Sequence, residues 1–229
     1  KNHDGYRGEG LDLEKTLAAC TAAARTHGWE RDFLDPDHLG RIAFRRPARA
    51  TGAPRIYIST GIHGDEPAGP LTALRLLEEN RWPDAHLWLL PCLNPDGFRA
   101  GTRTNREGID LNRDYRHFRG PETRGHVEWL ERQPGFDLTL LLHEDWESHG
   151  FYTYEVNRGT HPSVAPHMIA AVRPVVAREV TGDPGKEVDV GPLTVLVKYS
   201  VVPTLMSSKR PVGDWKYSSF TDDPPGPEL

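Results

Sequence analysis

The sequence predicts an α/β domain built on a mixed, mainly parallel twisted sheet with helices on both faces. Short apolar runs that are typical of buried strands occur at residues 55–60, 86–92 and 136–142. Helical patterns separate these runs, which is the alternation expected when helices cover both sides of a sheet. The length of 229 residues suits one domain. We therefore expect a single domain over residues 1–212, followed by an irregular tail at 213–229 where Pro, Gly and Asp accumulate.

The first predicted element is a helix over residues 11–27. Leucine and alanine recur there at helical spacing, and Gly28 stands where a glycine commonly ends a helix. Strands are predicted at residues 41–44 and 55–60. A leucine-rich helix follows at residues 67–80, with its leucines available to face the sheet.

The middle of the chain combines a buried strand with a long polar segment. The run HLWLLPC at residues 86–92 is nearly all apolar, and the turn sequence NPDG follows at residues 94–97. Residues 101–115, GTRTNREGIDLNRDY, are rich in side chains that can make several directed hydrogen bonds. We interpret this segment as a loop that belongs to a functional site.

The last part of the chain continues the alternation of helices and strands. Pro174 predicts a kink or a boundary in the final helix, because proline removes a backbone donor. The predicted elements are a helix at 122–132, strands at 136–142 and 151–156, a helix at 162–179 and a core strand at 193–205.

The overall composition gives no reason to expect nucleic acid or an anionic membrane as a partner. The formal net charge is -5, and no apolar run approaches the roughly 18 residues of a membrane span. Cys20 and Cys92 are too few for a disulfide framework or a thiolate zinc site, which favours a reducing, cytoplasmic location.

Histidine follows or ends two of the predicted strands. The run RIYISTGIHGDE contains His63 and ends at Glu66, and His143 directly follows the run at 136–142. Open α/β sheets bind ligands at the carboxyl ends of their strands, so these side chains are expected to converge. Two imidazoles and one carboxylate suit zinc better than magnesium or calcium, although iron or cobalt could use the same ligands. Asp65 and Asp145 leave open a second, weaker metal position.

Four segments in this order resemble the zinc carboxypeptidase family, including its succinylglutamate desuccinylase/aspartoacylase branch. They are HGDE, NPDG, R-x-N-x-x-G-x-DLNRD and LLLHED, and the resemblance covers residues 55–157. It implies a mixed eight-stranded sheet and one zinc ion per chain. The family's zinc ligands match His63, Glu66 and His143.

The same resemblance implies roles in substrate binding and catalysis. Asn112 and Arg113 match the pair that grips the terminal carboxylate of the substrate, and Arg103 matches the arginine that holds the oxyanion. A guanidinium can bind a carboxylate through two hydrogen bonds, which suits the first role. The implied function is a metallocarboxypeptidase acting on short peptides, and deacylation of an N-acyl amino acid is the alternative.

The chain departs from the family at the expected general base. The family carries a glutamate on a late strand, whereas this chain has Met206 at the corresponding place. A thioether cannot accept a proton at neutral pH. Among the other acids, we favour Glu155, which lies on a predicted strand beyond His143. A protein that binds metal and substrate but has lost the base is the rival interpretation.

Overall fold

The computed structural model describes residues 11–34, 41–145, 151–157, 162–179 and 195–201. Its strands are β1 (Glu30–Phe33), β2 (Ile42–Arg46), β3 (Arg55–Ser59), β4 (His86–Leu90), β5 (Leu138–Glu144), β6 (Tyr152–Asn157) and β7 (Val195–Val201). Its helices are α1 (Leu13–Thr26), α2 (Ala68–Glu79), α3 (Pro95–Ala100), α4 (Leu111–Asp114), α5 (Pro121–Glu131) and α6 (Ala165–Glu179).

The described strands form one sheet of seven strands in the order β1-β2-β4-β3-β5-β7-β6. The central strand β3 runs parallel to both β4 and β5, and β6 runs parallel to β7. The other three neighbouring pairs are antiparallel. The mixed α/β class is confirmed, but the described pairs divide evenly between the two directions instead of being mainly parallel. The resemblance implied eight strands, and the described residues contain seven.

Alternation along the central strands gives the sheet two apolar faces. Ile58 packs on one face with buried residues of α1 and α2, including Cys20 and Leu77. Tyr57 points to the opposite face, where it packs with Trp129 of α5 and other large apolar side chains. Because successive side chains of a strand point to opposite faces, one strand supplies both cores. Helices therefore cover both faces, as the sequence predicted.

Most predicted elements are confirmed within a few residues, but three were missed. β1 is an edge strand whose residues are largely exposed, so it lacks an alternating apolar pattern. The predicted NPDG turn is the start of α3, where the Asn94 side chain accepts a hydrogen bond from the Gly97 amide at 2.9 Å. The segment predicted as a loop contains α4, which Asp110 caps. Pro174 does not end α6, which runs through it.

Gly64 allows the HGDE turn to pack directly on the start of α3. A Cβ atom added to Gly64 would lie 2.0 Å from the carbonyl carbon of Gly97. No side chain fits at that separation, so glycine is required by the close approach of two backbones. The contact fixes His63 and Glu66 against the segment that follows β4.

Parts of the sequence analysis remain predictions. The tail at 213–229 lies outside the described residues, and the single domain over residues 1–212 and the cytoplasmic location stay predictions. Among the described helices, none is both long and apolar enough to cross a membrane.

Candidate metal centre

The carboxyl ends of β3 and β5 bring the two predicted histidines together. These strands are parallel neighbours, with Ser59 paired to Leu141. The chain after β3 is held to the end of β4, because Thr60 donates its amide to Leu90 and Asn94 donates its amide to Gly61. The ring centroids of His63 and His143 consequently lie 5.0 Å apart.

Glu66 lies between these two imidazoles. Its Oε1 is 2.5 Å from His63 Nδ1, and its Oε2 is 3.0 Å from His143 Nδ1. All three residues are buried, and one potential ligand atom from each lies within 4.8 Å of the others. Two nitrogen donors and one carboxylate grouped this closely form a donor set that fits a metal ion.

The charge of Glu66 is stabilised by its neighbours. Burial alone would raise the pKa of Glu66, but the charges of His143 and His63 more than offset this and hold the pKa well below its ordinary value. The amide of Glu144 also donates to Glu66 Oε2 at 3.2 Å. Glu66 is therefore an ionised carboxylate, which is the form that binds metal.

Glu144 supports the start of α2. Its side chain accepts a hydrogen bond from the amide of Ala68, the first residue of that helix, at 3.0 Å. A carboxylate at this position satisfies an amide that has no partner within the helix and interacts favourably with the helix dipole. Glu144 thus joins β5 to the helix that follows the HGDE turn.

Asp110 contacts the opposite side of the His63 ring. Its Oδ1 lies 3.3 Å from His63 Nε2, and the same carboxylate caps α4 by accepting the Asn112 amide at 3.0 Å. Burial alone would raise the pKa of Asp110, but His63 and two nearby arginines lower it below its ordinary value. A carboxylate on the second nitrogen of an imidazole is the usual way in which a metal-binding histidine is oriented.

The two arginines predicted to contact substrate share Asp110. Arg103 Nε lies 3.1 Å and Arg113 Nη1 lies 2.6 Å from Asp110 Oδ2. Arg103 Nη1 is also 3.6 Å from Glu66 Oε1, so this guanidinium lies beside the donor set. The side chains of Arg103 and Arg113 are 44% and 48% exposed, respectively, and a ligand can reach both.

Asn112 lies at the inner side of this arrangement. It is buried and lines a cavity of about 70 Å³ together with His143. The structure therefore brings Arg103, Asn112 and Arg113 to the same edge of the sheet as the three donors. Their roles toward a substrate stay predictions.

The segment that contains this centre is similar to a known family of catalytic domains. Residues 52–160 match the model of the succinylglutamate desuccinylase/aspartoacylase catalytic domain. The predicted family resemblance is confirmed. The match includes all four segments on which the resemblance was based.

Two relatives and one solved structure illustrate the similarity. Carboxypeptidase SOL1 of Arabidopsis thaliana is 32% identical over 43% of this chain and 24% of its own length. Murein peptide amidase A of Escherichia coli is 35% identical over 49% of this chain and 49% of its own length. The matches thus span less than half of either relative. Carboxypeptidase A from Helicoverpa armigera shares the fold, with a TM-score of 0.56 and 15% identity over 86% of this chain and 66% of its own.

The described residues do not test the remaining site predictions. Glu155 belongs to β6, where its backbone pairs with Tyr199, but its side chain is not among those described. Met206 lies outside the described residues. Neither Asp65 nor Asp145 joins the donor group found in the described part of the chain, so a second metal position stays a prediction.

Sequence reasoning missed Asp110 and the support from Glu144. Asp110 belongs to the DLNRD motif, but the sequence analysis assigned roles only to the asparagine and the arginine of that motif. The available signal was its position just before a short helix, where aspartate is a favoured cap. Its contact with His63 spans 47 positions of sequence, and no local pattern could indicate it.

We predict that Asp110→Asn weakens metal binding about 10- to 100-fold, because the His63 ring loses its anionic hydrogen-bond partner. Affinity is measured by competition with a chromophoric chelator. Asp96→Asn is the control, since Asp96 is an acid on α3 that pairs with Arg99 at the surface. Equal affinity in both variants and the parent would contradict the role of Asp110.

Proposed function

We propose that this protein is a zinc-dependent hydrolase that cleaves an amide bond next to a free carboxylate, most directly as a metallocarboxypeptidase acting on short peptides. The observation that carries the proposal is that three buried side chains able to bind a metal lie together, with Arg103 beside them. Arg113 contacts Asp110, the carboxylate that also binds Arg103. The names of the two relatives, a carboxypeptidase and a peptide amidase, support this reaction class.

The proposed metal is one zinc ion per chain, held by His63, Glu66 and His143. Imidazole nitrogen and carboxylate oxygen are ligands of catalytic zinc sites with three protein ligands. When bound, zinc would polarise the substrate carbonyl and lower the pKa of a water molecule at the open position.

Arg103 is proposed to stabilise the charge that develops on the carbonyl oxygen. Its guanidinium is fixed by Asp110 and lies 3.6 Å from a carboxylate oxygen of the donor set. A cation held in place before the reaction stabilises the transition state without reorganising at that moment. The exposed part of its side chain leaves room for the substrate.

Asn112 and Arg113 are proposed to bind the free carboxylate of the substrate. Both guanidinium groups contact Asp110, and the side chain of Arg113 is 48% exposed, so its charge is accessible to an anionic ligand. Arg113 would exchange or share its contact with Asp110 when the substrate carboxylate arrives, because one guanidinium can serve several acceptors. Asn112 adds a neutral amide at the buried side of the same position.

Glu155 is proposed to act as the general base. Met206 stands at the position of the family glutamate, and Glu155 on β6 is the substitute that we favour. Loss of a general base typically lowers the rate by about 10²–10⁴, so slow hydrolysis would still be supported by the metal and Arg103.

Deacylation of an N-acyl amino acid is the second function that a specific observation favours. The matched domain is named for succinylglutamate desuccinylase and aspartoacylase. The chemistry is the same amide hydrolysis beside a free carboxylate. A binding protein that retained the metal and lost the base is the alternative to an enzyme.

A substrate panel tests the proposed role of Arg113. The zinc-loaded parent is expected to hydrolyse short peptides or N-acyl amino acids with free carboxylates in preference to their amides. Arg113→Ala should lower kcat/KM on the free acids about 10- to 100-fold, because a charge-assisted contact is lost. Arg116→Ala is the control, since Arg116 is an exposed arginine near α4. Equal turnover of acids and amides by the parent would argue against the carboxylate site.

Two substitutions locate the general base. If Met206 causes a deficiency, Met206→Glu should raise kcat by about 10²–10⁴ on the same panel. If the base has moved to Glu155, the parent is active and Glu155→Gln lowers kcat by a similar factor. A parent and variants that all bind zinc and a carboxylate ligand but hydrolyse nothing would favour the binding protein.

A further inference from the structure

His126 of α5 lies in the core below the candidate site and contacts two tyrosine hydroxyls. Its Nε2 is 2.7 Å from Tyr57 Oη, and its Nδ1 is 2.5 Å from Tyr115 Oη. His126 is buried, and its ring stacks on Trp129 with 23° between the ring planes. Both ring nitrogens thus have partners in a closely packed surrounding.

The ring of His126 is neutral. Burial, together with the charge of Arg41, lowers its pKa to about 3. A neutral imidazole has one N–H donor and one nitrogen acceptor. Two hydroxyl groups, one accepting from the ring N–H and one donating to the other ring nitrogen, satisfy both atoms of the neutral ring.

The two tyrosines connect different parts of the site. Tyr57 lies in β3, six positions before His63. Tyr115 is the residue that directly follows α4, the helix that carries Asn112 and Arg113. His126 therefore links the strand leading to the donor set with the segment proposed to bind the substrate carboxylate.

The short helix α4 needs such external contacts. It has four residues, which is too short to be stable alone. Asp110 caps its first turn, and Asp114 accepts hydrogen bonds from the amides of Arg119 and Gly120 at the start of α5. These contacts hold α4 to its sequence neighbours. The bond from Tyr115 to His126 ties its end to the core of the domain.

The same side chains share a wall of one cavity. Tyr57, Asn112, Tyr115, His126 and His143 all line the space of about 70 Å³ below the site. A shift of Tyr115 would therefore move the chain that carries Asn112 relative to a metal donor.

We propose that His126 is a positioning residue, which holds Tyr115 and thereby sets the position of Asn112 and Arg113 relative to the metal donors. The hydroxyl of Tyr57, a residue of β3, contacts the other ring nitrogen of His126. The consequence for substrate rests on the proposed function, whereas the consequence for α4 does not.

Tyr115→Phe and Tyr57→Phe form a matched pair for the test. Each substitution removes one tyrosine hydroxyl that contacts a ring nitrogen of His126. Only Tyr115→Phe removes the contact between His126 and the end of α4. Amide hydrogen exchange over residues 111–115 is measured in metal-free protein without substrate. Tyr115→Phe should speed this exchange about 2- to 10-fold, the factor expected for one lost hydrogen bond, while Tyr57→Phe leaves it unchanged.

Steady-state kinetics give a second measurement. With a free-carboxylate peptide, Tyr115→Phe should raise KM by a similar factor while kcat stays within about 2-fold, because binding and not chemistry is affected. Unchanged exchange in Tyr115→Phe, or equal acceleration in both variants, would overturn the proposal, since the effect would then follow core stability alone. Hydrogen exchange requires neither bound metal nor turnover. An inactive parent would therefore contradict the proposed function, while the exchange data would still test the role of His126.

Discussion

The buried charge of Glu66 is the constraint on which the site depends. An ionised carboxylate without partners in a protein core costs several kcal/mol, so it requires compensating charge and hydrogen bonds. Here the partners are His63, His143 and the amide of Glu144. His63 lies in the turn that follows β3, whereas His143 and Glu144 lie on its parallel neighbour β5, and this explains why the central part of the sheet determines the site. The buried negative charge of Glu66 is unfavourable without partners, and the same charge makes the cluster a good donor set for a divalent cation.

Asp110 extends this balance of charge from the core to the surface. One carboxylate contacts His63 on its inner side and Arg103 and Arg113 on its outer side. Asp110 therefore connects both arginines to the ring of His63. Gly64 contributes by close packing instead of charge, because it brings the HGDE turn against α3. The donor set and the residues proposed to bind substrate are consequently parts of one connected structure.

The sequence was sufficient for the central sheet and the donor set, because both depend on local patterns. The apolar runs of β3, β4 and β5 and the motifs at their ends carry strong signals. Short helices such as α3 and α4 give no such signal, because they are too short to show a periodic apolar pattern. Their starts are marked only by the capping residues Asn94 and Asp110. An exposed edge strand such as β1 lacks alternation for a related reason. The contacts of His126 could not be predicted from the sequence, because its two partners lie 69 and 11 positions away.

The central claim is that His63, Glu66 and His143 together hold one metal ion. X-ray absorption spectroscopy of the zinc-loaded protein, with metal content from mass spectrometry, tests it most directly. We predict one zinc per chain with two imidazoles and a carboxylate at about 2 Å, and loss of that zinc in His63→Ala and His143→Ala but not in the exposed control His117→Ala. A spectrum without imidazole scattering, or a full zinc content in either donor variant, would contradict the assignment.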